Sequence, residues 1–201
     1  MQDGKSLQMG TAHDLSDNFA KSFEVMYLDE NGERKFVYQT SWGVSTRLIG
    51  GLVMSHSDDA GLVLPPKIAP IQAVIVPIYK TDDEKTAVYE AAETVSLQLQ
   101  DNSIRVKIDD RDEKPGFKFY DWEMHGVPLR IEIGPRDVIS NTVMFSRRDI
   151  SGKAGKQSTP RDGLVATVRR LLDEIQLNLL AQATAFHTAN IREVNSYDEL
   201  K

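Results

Sequence analysis

The chain has 201 residues, 40% apolar and 27% charged, the composition of a soluble globular protein long enough for one large or two small domains. A net charge of −6 excludes broad electrostatic capture of nucleic acid, so any RNA contact has to be local and geometric. With no cysteine, disulfides, thiol nucleophiles and thiolate zinc sites are excluded; no apolar run approaches 18 residues, so a cytoplasmic location with no membrane partner is expected.

Residues 1–9 show no periodicity. Ser16 to Phe23 reads as one or two helical turns with Phe19 and Phe23 on one face. Glu24–Leu28 and Lys35–Gln39 read as a strand pair closed by Asp29-Glu30-Asn31-Gly32-Glu33. Tyr38 to Trp42 reads as the end of a strand. Gly43 then opens a helix carrying Thr46, Arg47, Leu48, Ile49, Leu52, Val53 and Met54. A glycine at such a junction lets backbone approach a ligand, and the helix start aims free N–H groups at it. Arg47 in the first turn opposes the helix dipole, which makes sense beside an anion. An ordinary turn with a solvated arginine fits the same pattern. Gly61 to Pro70 is a stiff apolar exit containing Pro65, Pro66 and Pro70.

Gln72 to Tyr79 is a near-continuous apolar run, as in a strand covered on both faces. Thr81-Asp82-Asp83-Glu84 fits a capping box, and the helix it opens carries Val88, Ala91, Ala92, Val95 and Leu99 at helical spacing. Ile104 to Ile108 alternates apolar and basic residues, which completes a parallel β-α-β unit. In 109–126, Phe117, Tyr120 and Met124 fall on one face of a short helix. Leu129 to Ile133 alternates again, Gly134-Pro135-Arg136-Asp137 reads as a turn, and Asn141 to Ser146 as a strand. Ser151 to Gln157 reads as a loop. Thr159-Pro160 then caps and starts a long helix with the stripe Val165, Val168, Leu172, Ile175, Leu179, Ala183 and Phe186. The expected boundary lies in the proline-rich exit: residues 1–69 lack partners to close a core, 70–190 form a complete three-layer α/β domain with a mixed sheet, and 191–201 are a tail.

The residues support no nucleophile triad. His13, His56, His125 and His187 are scattered, the pairs Asp58-Asp59 and Asp109-Asp110 read as solvated carboxylates, no metal cluster is indicated, and no phosphate loop of the G-x-x-x-x-G-K-[ST] type occurs. A resemblance carries more. GVSTRLIGGLVMSHSDDAGLVLPPKIAP (residues 43–70) resembles motif 3 of class II aminoacyl-tRNA synthetases, in the form found in the prolyl-tRNA synthetase family of archaeal and eukaryotic type. Gly10-Thr11-Ala12-His13 is similar to that family's Gly-Thr-(small)-His element. Leu15-Ser16-Asp17-Asn18-Phe19 is similar to its Leu-Gly-Gln-Asn-Phe element, departing at Ser16 and Asp17.

The resemblance covers nearly the whole chain. It implies a partial class II antiparallel sheet in 1–69, followed by an α/β anticodon-binding domain in 70–190. It also implies an enzyme that activates L-proline with ATP and Mg2+ and transfers it to tRNA-Pro, as a homodimer. By motif position, Arg47 would be the catalytic cation on the γ-phosphate. Gln8, Thr11 and Ser45 would touch the nucleotide, with Thr11 as a turn cap the other reading. His13, Ser41, Trp42 and Gly43 would line the proline pocket, with a core Trp42 the other reading. Candidate anticodon readers are Arg111, Lys118, Phe119, Trp122, Glu123 and Arg136, with Phe119 and Trp122 as core the other reading. Motif 2 and the residues that hold the proline ammonium in the family are not among the 201. The expectation is therefore a fragment or natural truncation, inactive alone, with Met1 an internal methionine. A free-standing tRNA-binding or regulatory module is the alternative.

Overall fold

A computed structural model describes the backbone of residues 1–200 and the side chains of residues 1–199. The chain divides into two compact units, Met1–Met54 and Ser55 onward.

The first unit is built on β1 (Gly10–Ser16) and β4 (Gln39–Val44), which pair antiparallel, Thr11 opposite Gly43 and His13 opposite Ser41. The register shifts between Asp14 and Ser16, leaving Leu15 as the bulged residue. Tyr38 Oη donates to Asp14 at 2.5 Å beside that bulge. Helix α1 (Asn18–Phe23) stacks Phe19 on Phe23, centroids 6.5 Å apart. The hairpin of β2 (Met26–Leu28) and β3 (Arg34–Phe36) is closed by Asp29, whose Oδ1 accepts from the Asn31 and Glu33 amides, with Gly32 at φ 77°. Helix α2 (Arg47–His56) follows β4.

Gly43 does not open that helix. It lies inside β4 opposite Thr11, and strand pairing holds the chain extended to Val44. Within this unit Ala20 and Gly51 are buried among the described residues, whereas Phe23, Val44 and Trp42 are open to solvent. Two-stranded ribbons have too little face to enclose a core.

The second unit has the sheet order β6-β5-β7-β8-β9, built from β5 (Ala73–Pro77), β6 (Val106–Ile108), β7 (Leu129–Ile133), β8 (Thr142–Arg147) and β9 (Lys156–Pro160). β5 runs parallel to β6 and β7, while β8 and β9 run antiparallel. Strand alternation splits the core in two. Ala73, Ile75, Leu129, Ile131, Ile133, Val143 and Phe145 pack beneath α3 (Asp82–Asp101) and α6 (Leu164–Ala189). Val74 and Val76 point the other way, to Trp122 and Phe119 of α4 (Pro115–Met124). The result is three layers with a mixed sheet, as the order of elements over residues 70–190 predicts. The α3 stripe is buried from Val88 to Leu99, and Thr81 Oγ1 accepts from the Glu84 amide.

Two local expectations are corrected. Pro135–Ser140 is a helix, α5, not a turn, because Pro135 sits at its first position and Asp137 accepts from the Gly134 amide at 2.9 Å. Lys156–Pro160 is an edge strand paired to β8, so Pro160 ends β9 and does not start a helix; α6 begins at Leu164 after Gly163 at φ 71°. Phe117, Tyr120 and Met124 share a face of a short helix, α4, as expected, and that face is exposed. A short helix, α7 (Tyr197–Leu200), follows α6.

The exit segment is bound into the second unit. Val63 joins its main core. The Leu62 and Leu64 amides donate to the carbonyls of Met124 and Gly126, and Arg105 donates to the carbonyls of Pro66 and Ala69. The division of the chain therefore falls at Met54/Ser55, ahead of the prolines where the sequence puts the boundary.

Candidate functional site

In the first unit, the β1–β4 ladder assembles residues that lie thirty positions apart in sequence. Alternation puts Thr11 and His13 on one face, opposite Gly43 and Ser41. Trp42 points to the other face and is 80% exposed, so it is not a core residue. Arg47 begins α2. Its Nη1 donates to the Gln8 carbonyl at 2.9 Å, and its amide donates to Ser45 Oγ at 3.3 Å. Gln8, Ser45 and Arg47 are thus joined at the helix start, and the first turn carries no acidic residue to neutralise the cation. A guanidinium beside a helix N-terminus can meet an anion with both charge and N–H groups.

The second unit separates the six candidate anticodon residues into three places. The first centres on Asp109, at the carboxyl end of β6 and 1% exposed. Its carboxylate accepts from Arg111 Nε at 2.9 Å, Arg111 Nη2 at 2.7 Å and Trp122 Nε1 at 2.7 Å; its carbonyl accepts from Lys118 Nζ at 3.0 Å. Burial alone would raise the Asp109 carboxyl; the Arg111 and Trp122 donors outweigh it and bring it down to about 2. Asp121 holds Arg111 from the other side at 2.8 Å, and the two carboxylates hold its guanidinium charged. Lys118 is 2% exposed and Trp122 8% exposed. These two residues anchor α4 to the sheet rather than facing solvent.

The second place is the sheet face beyond α4. There Phe119 lies over the Arg130 guanidinium, 4.1 Å from ring centroid to Cζ. Arg130 Nη1 donates to Glu123 Oε1 at 3.1 Å, Nε donates to Glu132 Oε1 at 3.0 Å, and Nη2 donates to Ser146 Oγ at 3.3 Å. Lys156 Nζ also reaches Glu132 Oε1, at 3.2 Å. Phe119 and Glu123 therefore do meet, through a residue the sequence reading left out. The signal for Arg130 was present in Leu129-Arg130-Ile131-Glu132-Ile133. Charged residues on alternate positions of an otherwise apolar strand put two charges on one face. The cleft beside them is lined by Val74, Trp122, Glu123, Arg130, Ser146 and Arg148. Arg136 stands apart and exposed, in the first turn of α5.

Arg130, 7% exposed and donating from all three nitrogens, is a buried brace rather than an open donor. The half-buried Phe119 ring and Glu123 carboxylate are the groups here that can stack an unpaired base and accept from its edge.

The family model for an anticodon-binding domain matches residues 72–171. The whole chain is 58% identical to a stretch of the chloroplastic/mitochondrial proline–tRNA ligase of Arabidopsis thaliana and 52% identical to a stretch of that of Chloroflexus aurantiacus. It spans 38% and 42% of their lengths. A crystal structure of prolyl-tRNA synthetase from Cryptosporidium parvum, complexed with L-proline and AMP, superposes on 98% of the chain with a TM-score of 0.89 at 39% identity, and 42% of that protein is covered. Similarity over its full length, on both sides of an anticodon-binding domain, shows that the chain belongs to the prolyl-tRNA synthetase family as a portion equal to about two fifths of its relatives.

Proposed function

We propose that this chain supplies two working parts of a proline–tRNA ligase: the motif 3 side of the ATP and proline site, and the module that reads the tRNA-Pro anticodon. In the whole enzyme the L-proline carboxylate attacks the α-phosphate of ATP, forming prolyl-adenylate and releasing pyrophosphate, and the prolyl group then passes to tRNA-Pro with release of AMP. In that reading residues 1–69 are the end of the catalytic domain, 70–190 the anticodon-binding domain and 191–201 a tail, with 55–69 bracing the second domain.

The substrate carboxylate is itself the nucleophile, so the site needs alignment and charge compensation rather than a general base. Arg47 at the start of α2 receives the γ-phosphate. Gln8, Thr11 and Ser45 border the nucleotide, and His13, Ser41, Trp42 and Gly43 border the proline. Among the described residues no group of three His, Asp or Glu side chains converges as a metal site; Mg2+ would be held through the ATP phosphates. A homodimer in the cytoplasm completes the proposal. Among the described residues no helix is long and apolar enough to cross a membrane.

One observation carries the RNA half of this reading: the half-buried Phe119 and Glu123 converge on Arg130 beside one cleft inside residues 72–171. Glu123 suits the N1–H and N2–H donors of guanine and Phe119 supplies a stacking surface, while the buried Arg130 braces both. The prolyl anticodon carries two guanines by the genetic code.

The test is fluorescence anisotropy of the chain with tRNA-Pro anticodon stem-loops. Replacing an anticodon guanine should weaken binding roughly ten- to hundredfold, at about 1–3 kcal/mol per base-edge contact. Replacing other loop bases should cost little. Glu123→Gln should flatten the discrimination. Equal affinity for matched and guanine-substituted loops would overturn the anticodon assignment.

A further inference from the structure

The last turn of α4, which carries Glu123, is held by Arg148, which lines the same cleft, and by the Asp58 turn behind it. Arg148 follows β8 directly, and its side chain is only 7% exposed. Its Nη1 donates to Asp58 Oδ2 at 2.8 Å and its Nη2 to Asp58 Oδ1 at 2.5 Å, a forked ion pair across ninety residues of sequence. The same guanidinium donates from Nη2 to the Gly61 carbonyl at 3.3 Å and from Nε to the Glu123 carbonyl at 3.2 Å.

Asp58 itself belongs to a tight turn, because its amide and carbonyl pair with those of Gly61 at 3.1 and 3.0 Å. From this turn a strap runs along the end of α4. The Leu62 amide donates to the Met124 carbonyl at 3.1 Å and the Leu64 amide to the Gly126 carbonyl at 3.3 Å.

The fit leaves no space for side chains at two points. A Cβ on Gly61, at φ 132°, would stand 2.8 Å from the Met124 carbonyl oxygen. A Cβ on Gly126, at φ 72°, would stand 2.6 Å from Leu62 Cβ. The contacts that the strap and Arg148 make to α4 land on main chain between Glu123 and Gly126. The Glu123 side chain leaves that turn for the cleft, where it meets Arg130.

We propose that Asp58 and Arg148 are positioning residues for base discrimination, fixing the Glu123 main chain so that its carboxylate stands in register with an unpaired guanine. This inference rests on the anticodon reading above. Base-edge hydrogen bonds depend steeply on angle and distance, whereas phosphate contacts tolerate displacement. Loosening the clamp therefore removes selectivity before it removes affinity.

The experiment compares the full chain with Asp58→Asn, Asp58→Glu and Arg148→Lys. Each is titrated with two anticodon stem-loops, one with both guanines and one with a guanine replaced by adenine. Wild type should prefer the guanine loop by about tenfold or more. Asp58→Asn and Arg148→Lys should bring that ratio down to about two- or threefold, on the scale of one lost base contact, while binding of the adenine loop changes little. Asp58→Glu, which keeps the carboxylate, should restore most of the ratio.

A wild type without preference would remove the anticodon reading, and this inference with it. A wild type with preference, alongside variants that keep the ratio or lose affinity for both loops equally, would overturn the inference alone. Asp58 is half exposed at its side chain, so Asp58→Asn decides the matter if Arg148→Lys does not fold.

Discussion

Asp109 is a buried carboxylate whose environment holds it ionised. The donors from Arg111 and Trp122 bring its carboxyl from the ordinary 3.8 to about 2, against a burial effect that works the other way. A depressed folded-state value contributes stability that is fully present above the unfolded value and is lost as pH falls from about 4 towards 2. The shift corresponds to something on the order of 2 kcal/mol. Asp109→Asn is expected to destabilise the chain by about that amount at pH 7 in urea unfolding, and by clearly less near pH 2. An equal penalty at both pH values would mean that the ionised carboxylate is not what stabilises the site. The sequence reading treated Asp109-Asp110 as a solvated pair, since two adjacent acids in a charged stretch give no sign of which one turns inward. Burial of Lys118 and Trp122 has the same origin: α4 is amphipathic in an unusual sense, with Lys118 inside and Phe117 and Tyr120 outside.

Among the elements, α4 is the one most constrained by its surroundings. Lys118 and Trp122 tie its inner face to Asp109, and its last turn is tied to the Asp58–Leu64 strap. Gly126 closes that turn at φ 72°, a left-handed conformation that side chains resist, with Leu62 packed against its Cα. Gly126→Ala therefore combines backbone strain with a clash. It is expected to cost more than about 2 kcal/mol. Gly116→Ala, in the open first turn of the same helix with nothing within 4 Å, should be neutral or mildly stabilising. Guanidinium unfolding of the two variants checks the contrast, and similar midpoints would remove the close strap contact from the description. The elements legible in sequence were those with long periodic patterns. Helix α3 was readable from its stripe and cap, and β5 from its apolar run. Helix α5 and strand β9 were not, because a six-residue helix opened by Gly-Pro and a polar edge strand carry no periodic apolar signal.

At the scale of the whole chain, burial is unequal. The second unit encloses a core of more than twenty apolar side chains around its sheet, whereas the first leaves Phe23, Trp42, Val44 and Ile49 exposed. Limited proteolysis should cut first within Met1–Met54 and leave a resistant product beginning near residue 55. The proline-rich exit should survive, because Pro65, Pro66 and Ala69 are buried and their carbonyls are held by Arg105 or by local turns. Mass spectrometry of the early products checks this; prior cleavage within 62–70 would place the weak point where the prolines suggest it.

By itself, the sequence determined the family, through motif 3 in residues 43–70, and the three-layer class of residues 72–190, through apolar periodicity. Both are local signals, carried by side-chain type at fixed spacing. Tertiary structure alone decided which polar residues meet. Thr11 and Gly43 face each other only because β1 and β4 pair, and Arg130 joins Phe119 and Glu123 only because α4 packs beside β7. Asp58 finds Arg148 only once the exit segment has folded back along α4. Contacts across such distances depend on register and on the direction in which each element crosses the sheet, and neither is written in the spacing of residues along one segment.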